Sequence, residues 1–335
     1  MAQTWPWPAG AATGVGSWPG TDILEAVRTV LGELPLLPHL PELPARGPGA
    51  DLIGRGAGLL VDLPVELYAG RWRTAAHPGR DLGRAHDLWT RDLDALTELA
   101  AGYRGPLKVQ APGPWTLAAN LDLPIGGRLL RDHGAVRDLT ASLAEGLRAH
   151  VADVAARVPG ATVLLQLDEA SWPAVRAGPV PTESGGQTRR AVPASTAESA
   201  LGAVVARVDA PVIVHCCAPD VPLALLRAAG VAAISLDLDQ LSDPDPVGEL
   251  IDAGVGLFVG AVATTAPPGT QPPSSAEVAG RVREFWRRLA FPAEQLPAQV
   301  VLTPACGLAG ATPAYARAVL AACAEAGRRL AEDAA

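Results

Sequence analysis

An α/β architecture with eight strands closed into a (β/α)8 TIM barrel is the fold class this sequence predicts, on three observations. Short apolar, β-branched runs recur along the chain. They alternate with segments whose apolar residues repeat at helical spacing, and polar or reactive residues collect just past the carboxyl ends of several runs. A doubly wound open sheet is the rival, but it would gather its ligand groups at one switch point and would not load so many strand ends. With 335 residues, 49% of them hydrophobic, the chain can bury a large core. Its length suits one barrel with insertions or two ordinary domains. The reading adopted is one domain over residues 1–335, with the barrel over 11–335 and an N-terminal extension over 1–10.

Taken in order, residues 11–17 (AATGVGS) form a small-residue strand that breaks into Gly16-Ser17 ahead of a helix capped by Thr21 or Asp22. Such a turn either presents N–H groups and a hydroxyl to an anion such as a carboxylate or is merely tight. Residues 34–56 are dense in Pro and Gly and read as a long surface loop whose leucines need something to pack on. A second strand falls within 58–70, followed by Glu66, which is either a ligand for a substrate amine or a solvated acid. A helix over 82–102 leads to a third strand, 107–111, ending before Trp115. A long helix over 133–158 leads to a fourth, 162–167, which delivers Asp168 and Glu169. Residues 176–194 read as a polar loop able to close over a site, and Ser195 with Glu198 has the form of a capping box.

The fifth strand, 211–214, runs into His215, Cys216 and Cys217. The sixth, 231–236, ends in Asp237 and Asp239, and the seventh, 255–259, ends in Gly260. Ser274 and Glu277 form a second capping box. The eighth strand, 300–303, runs into Cys306 and Gly307, after which Thr312 caps a helix that has Pro313 at its first position.

A net charge of -8, with Lys108 the sole lysine, leaves no basic cluster to follow a phosphate backbone, so nucleic acid is not an expected partner. No apolar run approaches the ~20 residues that cross a bilayer, and the start lacks the features of a signal peptide. No membrane association is expected, and a cytoplasmic location is. There thiols stay reduced, and clustered cysteines serve metal or chemistry more often than disulfides.

The chain has only four cysteines and six histidines, and three of these ten are consecutive. Side chains two apart on a strand share a face, so His215 and Cys217 converge while Cys216 points into packing. Cys306, at another strand end, can meet them across a barrel mouth. An N/S/S set suits Zn2+, with thiolate bonds of about 2.3 Å. The bland alternative is two small buried hydrophobes and a satisfied core histidine.

The ordered set GVGSWPGTD, QLDEAS, VHCCAPD and TPACGL resembles the C-terminal catalytic barrel of cobalamin-independent methionine synthase, from about Thr13 to the C-terminus. The resemblance implies a uroporphyrinogen decarboxylase/methionine synthase-like barrel in a short, single-barrel form. It implies zinc held by His215, Cys217 and Cys306, with Asp237 where the family places a glutamate one methylene longer; Asp239 lies further past the strand end. Gly16, Ser17, Asp168 and Glu66 match residues that contact the amino acid substrate, Asp168 being the catalytic acid that binds its amino group. The implied reaction is methyl transfer to homocysteine, activated as a zinc thiolate, to form methionine. Methyltetrahydrofolate or a methylated corrinoid protein would be the donor. Trp115 either stacks on a pterin or packs under a loop. Alkyl transfer to coenzyme M would keep the zinc ligands and lose the amino acid contacts. A uroporphyrinogen-type decarboxylase would need no zinc. A non-catalytic zinc- or thiol-binding member is the alternative from outside enzymology.

Overall fold

The structure, a computed structural model, describes residues 4–177, 191–267 and 269–334. Two antiparallel strands, β1 (Val65–Tyr68) and β2 (Arg71–Thr74), form a hairpin that stands apart from six parallel strands. These are β3 (Gly105–Pro112), β4 (Ala161–Asp168), β5 (Val212–Cys216), β6 (Ala233–Asp237), β7 (Gly256–Val262) and β8 (Val300–Pro304), hydrogen-bonded to one another in chain order. Their Val-, Ile- and Leu-rich runs are buried on both faces, as parallel strands covered by helices must be.

The connecting helices are α1 (Ile23–Glu33), α2 (Leu52–Ala57), α3 (Arg80–Leu99), α4 (Pro114–Asn120), α5 (His133–Arg157), α6 (Trp172–Ala177), α7 (Ala194–Arg207), α8 (Leu223–Ala228), α9 (Asp245–Asp252), α10 (Ser275–Arg288), α11 (Leu296–Gln299) and α12 (Pro313–Asp333). Asp22 caps α1 through the N–H of Glu25, and Thr312 caps α12 ahead of Pro313. Ser274 and Glu277 close a reciprocal capping box on α10. The box expected at Ser195 does not form: the cap falls two residues earlier, at Pro193, and Ser195 lies inside the first turn of α7. Most of the loop expected to close over the site falls outside the described residues. No helix among the described residues is long and apolar enough to cross a membrane.

The stretch expected to supply the second parallel strand instead makes β1 of the hairpin. Ala69 and Gly70, both at positive φ, form its two-residue turn. The place next to β3 is taken from within the stretch read as a surface loop. His39 bridges Lys108 of β3, Ser17 bridges Glu42, and Ala12 bridges Leu302 of β8, all in parallel. Both edges of the six-stranded sheet are thus joined to extended segments, and those two segments meet each other. Pro38, Pro41 and Pro44 have no N–H to give to a ladder, which keeps this side to single bridges. Leu34, Leu37, Leu40 and Leu43 are all buried, and residues 37–43 of the proline-rich run are core and not surface, while Leu36 stays exposed.

The concave side of the sheet is filled at its amino-terminal end by Leu164, Ile213, Ala233, Phe258 and Val301. Trp7 enters this layer from the chain's first residues and meets Phe258 edge-on, with ring centroids 5.1 Å apart. Any side chain at Gly256 would collide with the Trp7 ring. The N-terminal extension is therefore anchored in the fold by buried Trp7, with partly buried Trp5 stacked on it.

Where α3 meets α5, His150 is buried against Trp89, with centroids 4.6 Å apart. Burial, reinforced by the charge of Arg55, pushes its pKa down from 6.5 to about 4. His150 is neutral in the fold, whereas the unfolded chain takes up a proton below about pH 6.5. Stability should therefore be present above pH 6.5 and lost as pH falls towards 4, by about 3 kcal/mol in full. Urea denaturation at pH 7 and pH 4.5 checks this: between the two, His150→Leu should lose about 2 kcal/mol less than the wild type.

Candidate metal and substrate site

The alternation of inward and outward residues decides what each strand end contributes. On β4, Gln166 and Asp168 face the concave side. Glu169 turns outward, where it accepts hydrogen bonds from the N–H groups of Trp115 and Thr116, at 3.0 and 2.8 Å, and from Thr116 Oγ1 at 2.8 Å. Glu169 thus anchors the start of α4. On β5, His215 points inward beside Asp168, with which it is paired in register, while Cys216 is buried in packing.

His215 Nδ1 is 2.9 Å from Ser235 Oγ on the neighbouring strand β6. This contact fixes the ring and leaves Nε2 buried with no protein partner. The ligand atoms of His215, Cys217 and Cys306 lie within 4.8 Å of one another. Cys217 Sγ and Cys306 Sγ are 3.1 Å apart and both thiols are free. At that distance they can share a proton. The contact eases loss of the first proton, from Cys217, and with burial holds the second on Cys306. An orphaned imidazole nitrogen facing two sulfurs is a donor set able to hold a metal ion of the zinc type.

A cavity of about 210 Å³ opens over these three groups, lined also by Val15, Ser17, Glu42, Asp168 and Gly307. Larger hollows, two of them of about 690 and 620 Å³ and two of about 440 Å³, lie elsewhere, and none of these contains this ligand set. Gly307 is needed for contact: a β-carbon there would stand 2.0 Å from Ser17 Oγ. Gly16 has a similar role, since a β-carbon would stand 2.8 Å from Cγ of Gln110. Its value lies in letting the backbone approach β3 closely, as well as in any turn it makes.

Asp168 accepts from Gln166 Nε2 at 2.7 Å; burial raises its pKa, with His215, Lys108 and Gln166 opposing. Glu42 faces the same cavity. Burial raises its pKa too, opposed first by Arg55. Arg55, 1% exposed, donates from Nε to Glu42 Oε1 at 3.2 Å and from Nη1 to Asp92 at 2.6 Å, and lies over the Trp89 ring, 3.6 Å from its centroid. Arg46 donates to both oxygens of Asp92, at 2.7 and 2.8 Å.

Two expected residues are placed elsewhere. Glu66 sits on the β1–β2 hairpin, partly exposed and paired with Arg73 at 2.6 Å, and does not line the cavity. Asp237 accepts from the N–H of Asp239 at 2.9 Å, capping a short turn. It is not among the side chains whose ligand atoms converge with those of His215, Cys217 and Cys306, and it lines the neighbouring 620 Å³ hollow. Asp239 is exposed and paired with Arg281. Trp115 is packed, 1% exposed, with Nε1 donating to the Ala197 carbonyl at 3.1 Å.

Sequence reasoning passed over Glu42, Arg55, Lys108, Gln110 and Gln166. A signal was available for three of them: Lys108-x-Gln110 and Gln166-x-Asp168 put polar groups at period two inside apolar strands, which marks an inward polar face.

Fold and site together define an enzyme of the parallel α/β class, TIM-barrel-like, with its polar groups at the carboxyl ends of the strands. The family profile described as cobalamin-independent synthase, catalytic domain, matches residues 10–329. The chain belongs to that family, the cobalamin-independent methionine synthases; it is a methyltransferase, and the family implies methyl transfer to homocysteine. Among solved structures, it is similar to a B12-independent methionine synthase from Shewanella sp. W3-18-1, solved in complex with selenomethionine. That match has a TM-score of 0.62 and 14% identity, and covers 97% of this chain and 99% of the other. A GH113 β-mannanase from Alicyclobacillus acidocaldarius follows at a TM-score of 0.44 and 16% identity, covering 99% of this chain and 97% of its own, too distant to inform the site. No curated protein matches.

Arg55→Met would leave Glu42 without its cation and take one of two from Asp92. Breaking a buried pair in this way should cost about 3–5 kcal/mol of unfolding free energy, read by urea denaturation. Glu66→Gln, which breaks a half-exposed pair, should cost under about 1 kcal/mol.

Proposed function

We propose that the protein is a zinc-dependent methyltransferase that methylates the thiol of homocysteine to give methionine, in a single eight-stranded barrel domain spanning residues 1–335. The observation that carries the reading is the buried, unpartnered Nε2 of His215 facing the sulfurs of Cys217 and Cys306. These three would hold Zn2+, with Nδ1–H of His215 donating to Ser235 Oγ. Zn2+ in such a site makes a bound thiol acidic and keeps it in place for alkylation.

The chain's own residues supply recognition. Asp168 and Glu42 face one cavity with the metal ligands, and two carboxylates suit an α-ammonium group. Glu42 takes the part that Glu66 was expected to play. Ser17 and Gly16, where the chain runs beside Gly307, stand where the substrate carboxylate could be met. Burial of Asp168 and Glu42 excludes water, so their attraction for a cation is weakly screened.

The cavity, about 210 Å³, suits an amino acid and leaves no room for a pterin or corrin beside it. The methyl group would therefore be presented at the mouth by a donor seated outside, methyltetrahydrofolate or a methylated corrinoid protein. Homocysteine would be positioned first and the thiolate held in line, which is where much of the rate advantage of such a site arises.

Metal analysis of purified protein should give one zinc per chain, and Cys306→Ser or His215→Ala should remove most of it. Zinc far below one per chain in the wild type, or full activity in metal-free Cys306→Ser, would sink the reading. Glu42→Gln should raise KM for homocysteine by about tenfold or more with zinc retained, while Glu66→Gln should leave KM unchanged. The opposite pattern would return the substrate role to Glu66.

A further inference from the structure

Beneath the cavity lies a buried polar layer built around the chain's sole lysine. Lys108 is fully buried, and its Nζ donates to the Val15 carbonyl at 2.9 Å and to Gln110 Oε1 at 3.2 Å. Gln110 Nε2 donates to the Leu40 carbonyl at 2.6 Å. On the adjacent strand Gln166, paired in register with Gln110, donates from Nε2 to the Val15 carbonyl at 2.8 Å and to Asp168 at 2.7 Å.

The direction of these bonds is forced. An ammonium has donors only, so the amide of Gln110 must turn its oxygen to Lys108 and its NH2 away, towards the Leu40 carbonyl and Glu42. Gln166 stands between a carbonyl and a carboxylate, so its NH2 must face both. Each acid of the cavity therefore meets an amide donor from behind. Lys108 lies within electrostatic reach of both acids, and each holds up a lysine pKa that burial lowers to about 7. Counted with Arg55, Arg46 and Asp92, this set has three cations against three anions. By formal charge the set balances, and the two acids that line the cavity each have a fixed amide donor behind them.

We propose that Lys108 is a positioning residue that, through the fixed amides of Gln110 and Gln166, holds Glu42 and Asp168 ready for a ligand ammonium and so makes the cavity selective for an aminothiol over a thiol without an amine. The inference rests on the homocysteine reading above and assigns it a further residue. Lys108 does not line the cavity; it acts through its neighbours. Without it, Gln110 can rotate and present its oxygen to Glu42, and both acids lose a cation that favours their ionised form, the form that attracts an ammonium.

The test compares zinc-loaded wild type and Lys108→Met for binding of homocysteine and of 4-mercaptobutanoate, its analogue without the amine, by calorimetry, with zinc content and thermal melting measured on each. The wild type should prefer homocysteine. Lys108→Met should weaken homocysteine about tenfold or more, leave the amine-free thiol within about twofold, and keep one zinc per chain. Equal weakening of both thiols, or an unchanged preference for homocysteine, overturns the role of Lys108 and leaves the homocysteine reading standing. Zinc-loaded wild type that binds neither thiol overturns both. Should Lys108→Met not fold, Gln110→Met removes only the amide: loss of the preference in that variant supports the mechanism, and its retention overturns it.

Discussion

Charge that must be buried and cannot be left alone is the constraint on which this site depends. Glu42, Asp168, Asp92, Lys108 and Arg55 are all removed from water. An isolated ion there would cost several kcal/mol or more. Each is met by an opposite charge, an amide or a carbonyl, and these partners come from β3, β4, α2, α3 and the two extended segments that flank the sheet. The fold around the site is held in register by this requirement as well as by apolar packing. Leu34, Leu37, Leu40 and Leu43 secure the segment carrying Glu42, and Arg55 sets the carboxylate itself.

Much of this was legible in the chain. Six of the eight expected strands are present near their expected places, and the alternation along β5 separated His215 and Cys217 from Cys216. The two misplaced elements share one physical cause. A strand rich in proline cannot form a continuous ladder, so residues 38–42 do not read as β-structure although they occupy a strand's position beside β3. The stretch that does read as a strand, Val65–Tyr68, is one, but in a local hairpin. Periodicity reports whether a run can be extended and does not say what it pairs with.

The site divides along similar lines. His215, Cys217 and Cys306, which the fold brings together, stand out in the sequence because scarce residue types fall at strand ends. Glu42 was missed because an acid in a Pro-rich run looks solvated, and its buried partner Arg55 belongs to a six-residue helix with no periodic signal of its own. Asp237 illustrates the reverse. Its place in the sequence suits a ligand, but a short side chain following a strand readily bonds to the backbone two residues on, and here it does.

The solitude of Lys108 has an experimental side. The folded protein presents no lysine amine to solvent, since its only one is enclosed by Val15, Gln110 and the sheet. Amine-directed reagents that decorate most proteins indiscriminately would find no side-chain target until the interior opens. Uptake of such a label at Lys108 would then be a clock for opening at the centre of the molecule, read from one residue without any engineered probe.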